Sequence, residues 1–390
     1  MYINGPINAI RLEGTINNIN KIIYLFMDYH LSTTEQTDCA SYESVNVDKY
    51  LYDVFKKTTK PIDFFLEIYE SFAFSKYIPF NKGRYIDSAM KLFKKAKLDE
   101  ETKKNINENV RFHFMDIREY LEKNLFFYVD NLESSMDTIR QHKTIGANSF
   151  NNILESCSGL IYELEFYQKF FELEINKKKI KENNLPTEPR KEIMYFLNKI
   201  TQKYKNPGIL NKIKKQYFTD VLKQIKLCIE NLKELNKLIS STEDYVYRYY
   251  EKKRQYIKNN DNLDGFFGNY MPITSEFIFK CDKLNDNIQK KIIYIFLKIT
   301  DLFFLRRFLD KDYITKAIVY TGGSHSANYI NILTSFFDFK ITHFSYSDEP
   351  DLDKLNKIAK EDVGKLQYTL FPQELVQCSD LSSFPTEDFN

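Results

Sequence analysis

The sequence has few of the residues that mark several protein classes. Its 390 residues contain no Trp, only 11 Gly and only five Cys. These cysteines are odd in number, lie far apart and form no CxxC pair: Cys39, Cys157, Cys228, Cys281 and Cys378. The pattern predicts neither a disulfide framework nor a cysteine zinc site, and a reducing compartment fits it best.

Charge of one sign and long apolar runs are also lacking. Lys and Arg number 56 and Asp and Glu 54, so the net charge is +2, and nothing indicates a nucleic-acid partner. No run of about 18 uncharged apolar residues predicts a membrane span. The first residues, MYINGPINAIRLEG, lack the basic and long apolar regions of a signal peptide. We therefore expect a soluble, intracellular protein without a membrane span.

Short apolar runs near both ends of the chain are typical of buried strands. Three occur in the first 120 residues and are separated by helix-like segments, and two more occur after residue 313: 21–26, 62–66, 110–115, 314–320 and 340–346. Strands that alternate with helices predict βαβ units and a parallel sheet. Nearly continuous apolar runs are expected where such strands are covered on both faces.

The middle of the chain, from about 117 to 309, has the pattern of long helices. In 217–239 the apolar residues recur at alternating spacings of three and four, as in an a/d seam. This seam favours a hairpin packed within the chain over a dimeric coiled coil, although it could support a homo-oligomer. The sequence thus predicts an α/β fold, with a mostly parallel central sheet formed by both chain ends (1–120 and 310–390) and a large all-helical insertion (121–309).

Polar side chains follow four of the predicted strands, where the ligand sites of parallel sheets form. The candidates are Asp28, His30, Glu67, Asp116, Arg118 and His325. Imidazole and carboxylate together favour a divalent zinc, manganese or iron ion, whose bound water would be a nucleophile. Alternatively, a histidine is a general base oriented by an acid. Arg118 suits a carboxylate, a phosphate or a developing oxyanion.

Structural alternatives exist for these residues. Asp28 could simply brace the turn after the first strand, and Asp116 and Arg118 could form only a structural ion pair. His113 alternates with aromatic residues, which is more typical of a core histidine than of a ligand. His343 lies within the last strand and is also assigned a structural role.

The stretch TGGSHSANYI, residues 321–330, contains two glycines and a histidine within four positions. It satisfies neither the dinucleotide fingerprint nor the phosphate-loop spacing, and Ser324 is not in a GxSxG elbow. What remains is a tight turn that places His325 near a helix N-terminus. That position is expected to lower the pKa of an imidazole and to favour its neutral form.

These motifs resemble a superfamily that joins the erythromycin esterases, the ChaN-type haem-binding lipoproteins, the TraB/PrgY proteins and the Tiki metalloproteases. The usual first motif, Gly-Glu-x-His, is here Met27-Asp28-Tyr29-His30, so the glycine is lost and Asp replaces Glu. The later Gly-x-x-His matches Gly322-Gly323-Ser324-His325, and the acid after the second strand corresponds to Glu67. The family often carries a helical segment between the two halves.

The chain is also similar to uncharacterised proteins of giant DNA viruses, in the phrases IDFFLE, VRFHFMDIRE, IVYTGGSHSANYI and CSDLSSFP. The two resemblances imply a metal-assisted hydrolase in the host cytoplasm or the virion, with an unknown substrate. His30, Glu67 and His325 would be catalytic, Arg118 would position the substrate, and the metal ligands would be Asp28, His30, Glu67 and His325. One alternative is a catalytically degenerate viral structural or host-interaction protein on the same scaffold. Another is a haem or small-ligand binder.

Overall fold

The computed structural model describes residues 1–74, 83–97, 108–121, 124–176, 191–258, 273–374 and 376–388. The chain forms two compact units. The first, which we call the sheet unit, comprises residues 1–117, 203–209 and 300–390. The second, the helical unit, comprises residues 118–202 and 210–299. No helix in these described ranges is long and apolar enough to cross a membrane.

The sheet unit contains a six-stranded and a three-stranded sheet. The strands are β1 (Tyr2–Asn4), β2 (Asn8–Ile16), β3 (Ile19–Asp28), β4 (Val45–Asn46), β5 (Ile62–Tyr69), β6 (Val110–Asp116), β7 (Lys316–Gly322), β8 (Lys340–Phe344) and β9 (Cys378–Asp380). The larger sheet has the order β6-β5-β7-β3-β2-β8, in which the first four strands are parallel and β2 is antiparallel to both of its neighbours. The predicted α/β class with a mostly parallel sheet is confirmed.

The central strands are buried because their sequences are apolar on both faces. In β5, Ile62, Phe64, Phe65 and Leu66 are all inaccessible to solvent. The register pairs Leu66 with Tyr320 of β7, and β7 in turn ends beside β3, with Gly322 opposite Asp28. Both chain ends therefore deliver the carboxyl ends of their strands to one edge of the sheet.

Helices make up most of the remaining described structure. They are α1 (Val47–Lys57), α2 (Glu70–Phe74), α3 (Tyr85–Lys97), α4 (Arg118–Leu121), α5 (Leu125–His142), α6 (Ala147–Ile175), α7 (Lys191–Thr201), α8 (Pro207–Ile213), α9 (Thr219–Ser240), α10 (Glu243–Lys258), α11 (Ser275–Asp310), α12 (Gly323–Phe337), α13 (Leu352–Glu361) and α14 (Val363–Leu370). The helical unit ends at residue 299, which lies within helix α11. Residues 300–310 of this helix therefore belong to the sheet unit.

The predicted seam of 217–239 lies mainly on α9. Its apolar positions, from Val221 to Ile239, are buried within the single chain. Helix α9 packs against α6 of the same unit, where Phe218 contacts Phe171 at its N-terminal end. Packing within the chain therefore accounts for the seam.

The structure corrects the prediction for two of the cysteines. Cys39 and Cys378 form a disulfide, with their Cα atoms 4.9 Å apart and 339 positions between them in the sequence. Strand β9 pairs antiparallel with β1, and Thr37 bridges to Val376, which brings the two cysteines together. Spacing along the chain carries no information about such pairing, and the inference of a reducing compartment loses its basis. Cys157, Cys228 and Cys281 are free and buried.

Candidate functional site

Two histidines from distant parts of the chain contact one glutamate in the sheet unit. Glu67 Oε2 lies 3.1 Å from His30 Nε2, and Glu67 Oε1 lies 3.3 Å from His325 Nε2. The side chains of Glu67 and His325 are each 6% exposed, whereas that of His30 is 27% exposed. Of these three side chains, His30 is therefore the most accessible to solvent.

The local backbone explains how these side chains meet. Glu67 lies in β5 where the pairing with β6 becomes irregular after Leu66. His30 comes two residues after β3 and has a left-handed backbone, with φ of 59°. Gly322 ends β7, and a Cβ atom there would lie 3.1 Å from His30 Nε2, so glycine permits the close approach of this ring.

The other nitrogen of each histidine faces an aspartate. His30 Nδ1 lies 3.1 Å from Asp28 Oδ2, and His325 Nδ1 lies 2.5 Å from Asp301 Oδ1. Asp301 comes from α11 and is inaccessible to solvent. Each imidazole therefore lies between two carboxylates. We call these five residues, Asp28, His30, Glu67, Asp301 and His325, the histidine–carboxylate network.

Neutral donors complete the hydrogen bonding of the three acids. Glu67 Oε2 accepts from the hydroxyl of Thr321 and from the backbone N–H of Gly322, both at 2.7 Å. Asn328 Nδ2 donates to Asp301 Oδ2. Gln377 Nε2 donates to Asp28 Oδ1 at 2.7 Å. Buried carboxylates need such partners, and each of the three acids has at least one neutral donor.

Burial and the neighbouring charges shift the pKa values in the network. Burial opposes protonation of His30, but hydrogen bonds to Asp28 and Glu67 outweigh it and raise its pKa to about 9. Burial likewise opposes protonation of His325, but the charges of Glu67 and Asp301 raise its pKa well above the usual range. Burial would raise the pKa of Glu67, yet the two histidines hold it well below its usual value. At neutral pH both rings are therefore imidazolium.

This result corrects the prediction for His325. The ring does lie in the first turn of α12, where the helix N-terminus disfavours a positive charge. Two carboxylates within 3.3 Å of its nitrogens outweigh that partial charge, so the protonated form is favoured. The sequence pattern revealed the helix end but not the carboxylate of Asp301.

The donor atoms do not fit a metal ion in this arrangement. The described ranges contain no group of three or more His, Cys, Asp or Glu side chains that could hold one. Each ring nitrogen of His30 and His325 already faces a carboxylate oxygen. The expected zinc, manganese or iron ion at Asp28, His30, Glu67 and His325 stays a prediction without support from this geometry.

The remaining candidates lie outside the network. Arg118 begins α4 in the helical unit, and its role in positioning substrate stays a prediction. His113 Nε2 lies 2.7 Å from Asp63 Oδ1, and burial lowers the pKa of this histidine. His343 lies in β8, and its pKa is also lowered by burial. His142, the one histidine of the sequence that was not a candidate, ends α5 and is exposed.

Asp301 and Gln377 belong to the site and were not identified from the sequence. Asp301 interrupts the apolar run of α11, and a lone acid in such a run signals a buried partner. Gln377 carries no comparable signal, because its contact with Asp28 joins residues 349 positions apart.

Comparison with known proteins places the chain in a family. The model of DUF5847, a family of unknown function, matches residues 1–390. The chain belongs to this family. It is 32% identical to uncharacterized protein R706 of Acanthamoeba polyphaga mimivirus, over 99% of this chain and 96% of the relative. It is 33% identical to uncharacterized protein R161 of the same virus, over 99% of this chain and 97% of the relative.

These relatives agree with the predicted resemblance of the DUF5847 chain to giant-virus proteins. Their names assign no activity. No solved structure matches the chain. The resemblance to erythromycin esterases and Tiki proteases therefore stays a prediction carried by the residues quoted for it.

Proposed function

We propose that this DUF5847 chain is a hydrolase that acts on an ester and uses His30 as its general base. The observation that supports the proposal is the convergence of His30 and His325 on Glu67 from opposite ends of the chain. Buried titratable groups with strongly shifted pKa values are typical of catalytic sites. Hydrolysis is the class of reaction that the sequence resemblance implies, and no step here involves a metal ion.

The two histidines have different roles because their environments differ. His325 is buried between Asp301 and Glu67, and its raised pKa keeps it protonated. It holds Glu67 as a carboxylate. His30 is partly exposed and loses its proton with a pKa of about 9, so it can exchange a proton with a bound reactant. Pairs of groups with separated pKa values identify the acid and base roles in this way.

Loss of the His30 proton also changes the hydrogen bonding of the ring nitrogen Nε2. Nε2 of the neutral ring, with its proton kept on Nδ1 toward Asp28, no longer donates to Glu67. Glu67 Oε2 keeps its donors from Thr321 and Gly322 when the hydrogen bond from His30 is lost. The lone pair on Nε2 of the neutral ring is repelled by the Glu67 carboxylate, so the partly exposed ring moves away from Glu67 and lets a water molecule lie against Nε2.

The reaction follows from these roles. Neutral His30 takes a proton from a water molecule while the water oxygen bonds to the carbonyl carbon of the ester. The imidazolium, stabilised by Asp28 and Glu67, then donates that proton to the leaving oxygen as the C–O bond breaks. The products are a carboxylic acid and an alcohol.

An ester panel tests the proposal. The purified chain is assayed with p-nitrophenyl acetate, butyrate and octanoate, beside His30→Gln, His325→Gln and the exposed control His142→Gln. Removal of a general base is expected to lower kcat/KM by about 100-fold or more in His30→Gln, with the control unchanged. Equal rates in wild type and His30→Gln, or no hydrolysis of any ester, would overturn the proposal.

A further inference from the structure

Gln377 joins the C-terminal part of the chain to the network through one hydrogen bond. Its side chain is inaccessible to solvent, and Nε2 donates to Asp28 Oδ1 at 2.7 Å. The other oxygen of Asp28 faces His30 Nδ1 at 3.1 Å. Gln377 and His30 therefore contact the two oxygens of the same Asp28 carboxylate.

The amide of Gln377 is held mainly by its backbone. Within the described residues its Oε1 atom has no hydrogen-bond partner. The backbone N–H donates to Thr37 O at 2.8 Å, and the backbone oxygen accepts from Gly5 N at 3.1 Å. The position of the amide thus follows from the path of residues 376–378 rather than from a second side-chain contact.

The disulfide is attached to this same backbone. Cys378 directly follows Gln377, and its bond to Cys39 is the covalent link between residues 376–378 and the N-terminal segment. The non-covalent attachment consists of the short strand β9, of three residues, paired with β1, together with the two backbone hydrogen bonds of Gln377 and a bond from the Ser379 hydroxyl to the backbone oxygen of Pro6.

We propose that Gln377 is a positioning residue for His30 and that the thiol–disulfide state of Cys39 and Cys378 controls it. With the disulfide closed, Gln377 fixes Asp28 and the His30 ring is oriented. With the disulfide open, the segment that carries Gln377 is released and Asp28 loses this donor. Control of activity by the disulfide rests on the proposed hydrolase function. The positioning of His30 by Gln377 does not depend on that function.

The chemistry of opening requires a dithiol reductant. One thiolate of the reductant attacks a sulfur of the Cys39–Cys378 bond and displaces the other cysteine as a thiolate. The second thiol of the reductant then closes a ring and releases the remaining cysteine. Two electrons pass to the protein, which ends with two thiols, and the reductant ends as a cyclic disulfide. Cys39 and Cys378 are both partly exposed, so a small reductant can reach them.

Histidine ring NMR provides a readout that needs no substrate. The chain has five histidines, so the ring signals are few and can be assigned by single substitutions. The variants are Gln377→Met, which keeps the size of the side chain but removes the donor, and the double variant Cys39→Ser/Cys378→Ser. Gln367→Met on α14 is the matched control. Wild type is measured before and after dithiothreitol, with the thiols counted.

We expect the His30 signal to shift in Gln377→Met, in the double serine variant and in reduced wild type. The signals of His142 and His343 and the circular dichroism should stay unchanged. Dithiothreitol should have no further effect on the double serine variant. If the ester assay succeeds, kcat should fall by about tenfold in the same three samples, with little change in KM.

Separate outcomes contradict the separate parts of the proposal. An unmoved His30 signal in Gln377→Met overturns the positioning role. A shift in Gln377→Met but none in reduced wild type, with two new thiols counted, overturns the control by the disulfide. If the double serine variant does not fold, reduced wild type supplies the comparison. A chain that hydrolyses no ester still gives a decisive NMR result.

Discussion

His325 Nδ1 and Asp301 Oδ1 lie 2.5 Å apart, and both side chains are almost completely buried. The pair joins the first turn of α12 to the end of α11, two helices that belong to the sheet unit at this point. Its geometry fixes which ring nitrogen faces Glu67. When one partner of a buried ion pair is removed, the other charge stays buried without compensation. That penalty is usually larger than the net stabilisation that the intact pair provides.

Asp301→Asn is therefore expected to destabilise the protein strongly. The change leaves the His325 imidazolium with only Glu67 as an anionic partner in a buried position. Removal of one member of a buried ion pair typically lowers the free energy of unfolding by about 3–5 kcal/mol. Urea denaturation measures the effect, with the exposed Asp312→Asn as a control. Equal midpoints for the two variants would show that the pair contributes nothing to stability.

The stability of the protein should fall between pH 6.5 and about 9 because of His30. Its pKa is raised from 6.5 to about 9 on folding, so the folded state binds more protons in this window. The stabilisation is complete below pH 6.5 and is lost as the pH rises through 9, by up to about 3 kcal/mol. Urea midpoints of wild type and His30→Gln across pH 6–10 test this. The difference between them should shrink with rising pH, and a constant difference would contradict the prediction.

The pH dependence of wild type alone does not isolate the contribution of His30, because Lys21 titrates in an overlapping range. Burial lowers the pKa of Lys21 from 10.5 to about 8, and its Nζ donates to the backbone oxygens of Lys311 and Ile314. Between these pH values the unfolded chain binds more protons at Lys21 than the folded chain does. Its contribution to stability therefore rises from pH 8 to 10.5, opposite in sign to that of His30. Subtraction of the His30→Gln curve removes this term.

Ester hydrolysis should accelerate with pH up to about 9. His30 acts as a base only after losing its proton, and its pKa is about 9, so kcat/KM should rise about tenfold per pH unit below that value. A profile of kcat/KM from pH 6 to 10 with p-nitrophenyl acetate measures this, after correction for the uncatalysed rate. A profile that is highest at neutral pH and falls toward pH 9 would show that the protonated ring is the active form.

The fold was predictable where the sequence pattern is local. The apolar runs at 21–26, 62–66 and 110–115 coincide with parts of β3, β5 and β6, because continuous apolar sequence is what a strand covered on both faces requires. Strand β2 does not follow from the apolar pattern, since its interior carries Arg11 and Glu13, which pair with each other, while Arg11 also pairs with the distant Asp388. Short edge strands such as β9 have no periodicity to detect.

Only the site residues that lie at or just after the ends of strands could be predicted from the sequence. His30, Glu67 and His325 follow from the rule that parallel strands deliver polar residues to one edge. The structure brings these three side chains together. Asp301, Gln377 and the Cys39–Cys378 bond depend on contacts between distant segments, and the protonation of His325 depends on Asp301. Local sequence cannot reveal a charge state that a remote residue determines.

Metal analysis tests the predicted ion directly. Because each ring nitrogen of His30 and His325 faces a carboxylate, we expect purified protein to hold zinc, manganese or iron at well below one ion per chain. Elemental analysis of wild type, His30→Ala and His325→Ala provides the measurement. One ion per wild-type chain that is lost in both variants would contradict this expectation. It would also establish the metal site that the sequence resemblance implies.

The two adjacent glycines of the turn should respond differently to alanine. A Cβ atom at Gly322 would lie 3.1 Å from His30 Nε2 and 3.4 Å from Glu67 Oε2, so Gly322→Ala displaces the ring by a few tenths of an ångström. A Cβ atom at Gly323 would lie 2.5 Å from Phe371 Cζ, outside the network. We expect Gly322→Ala to lower ester hydrolysis by about tenfold with little loss of stability, because catalysis tolerates small displacements poorly. Gly323→Ala should instead lower the unfolding free energy by about 1–3 kcal/mol through overpacking. The same pattern of losses in both variants, measured by ester assay and urea denaturation, would show that the position of the His30 ring does not limit the reaction.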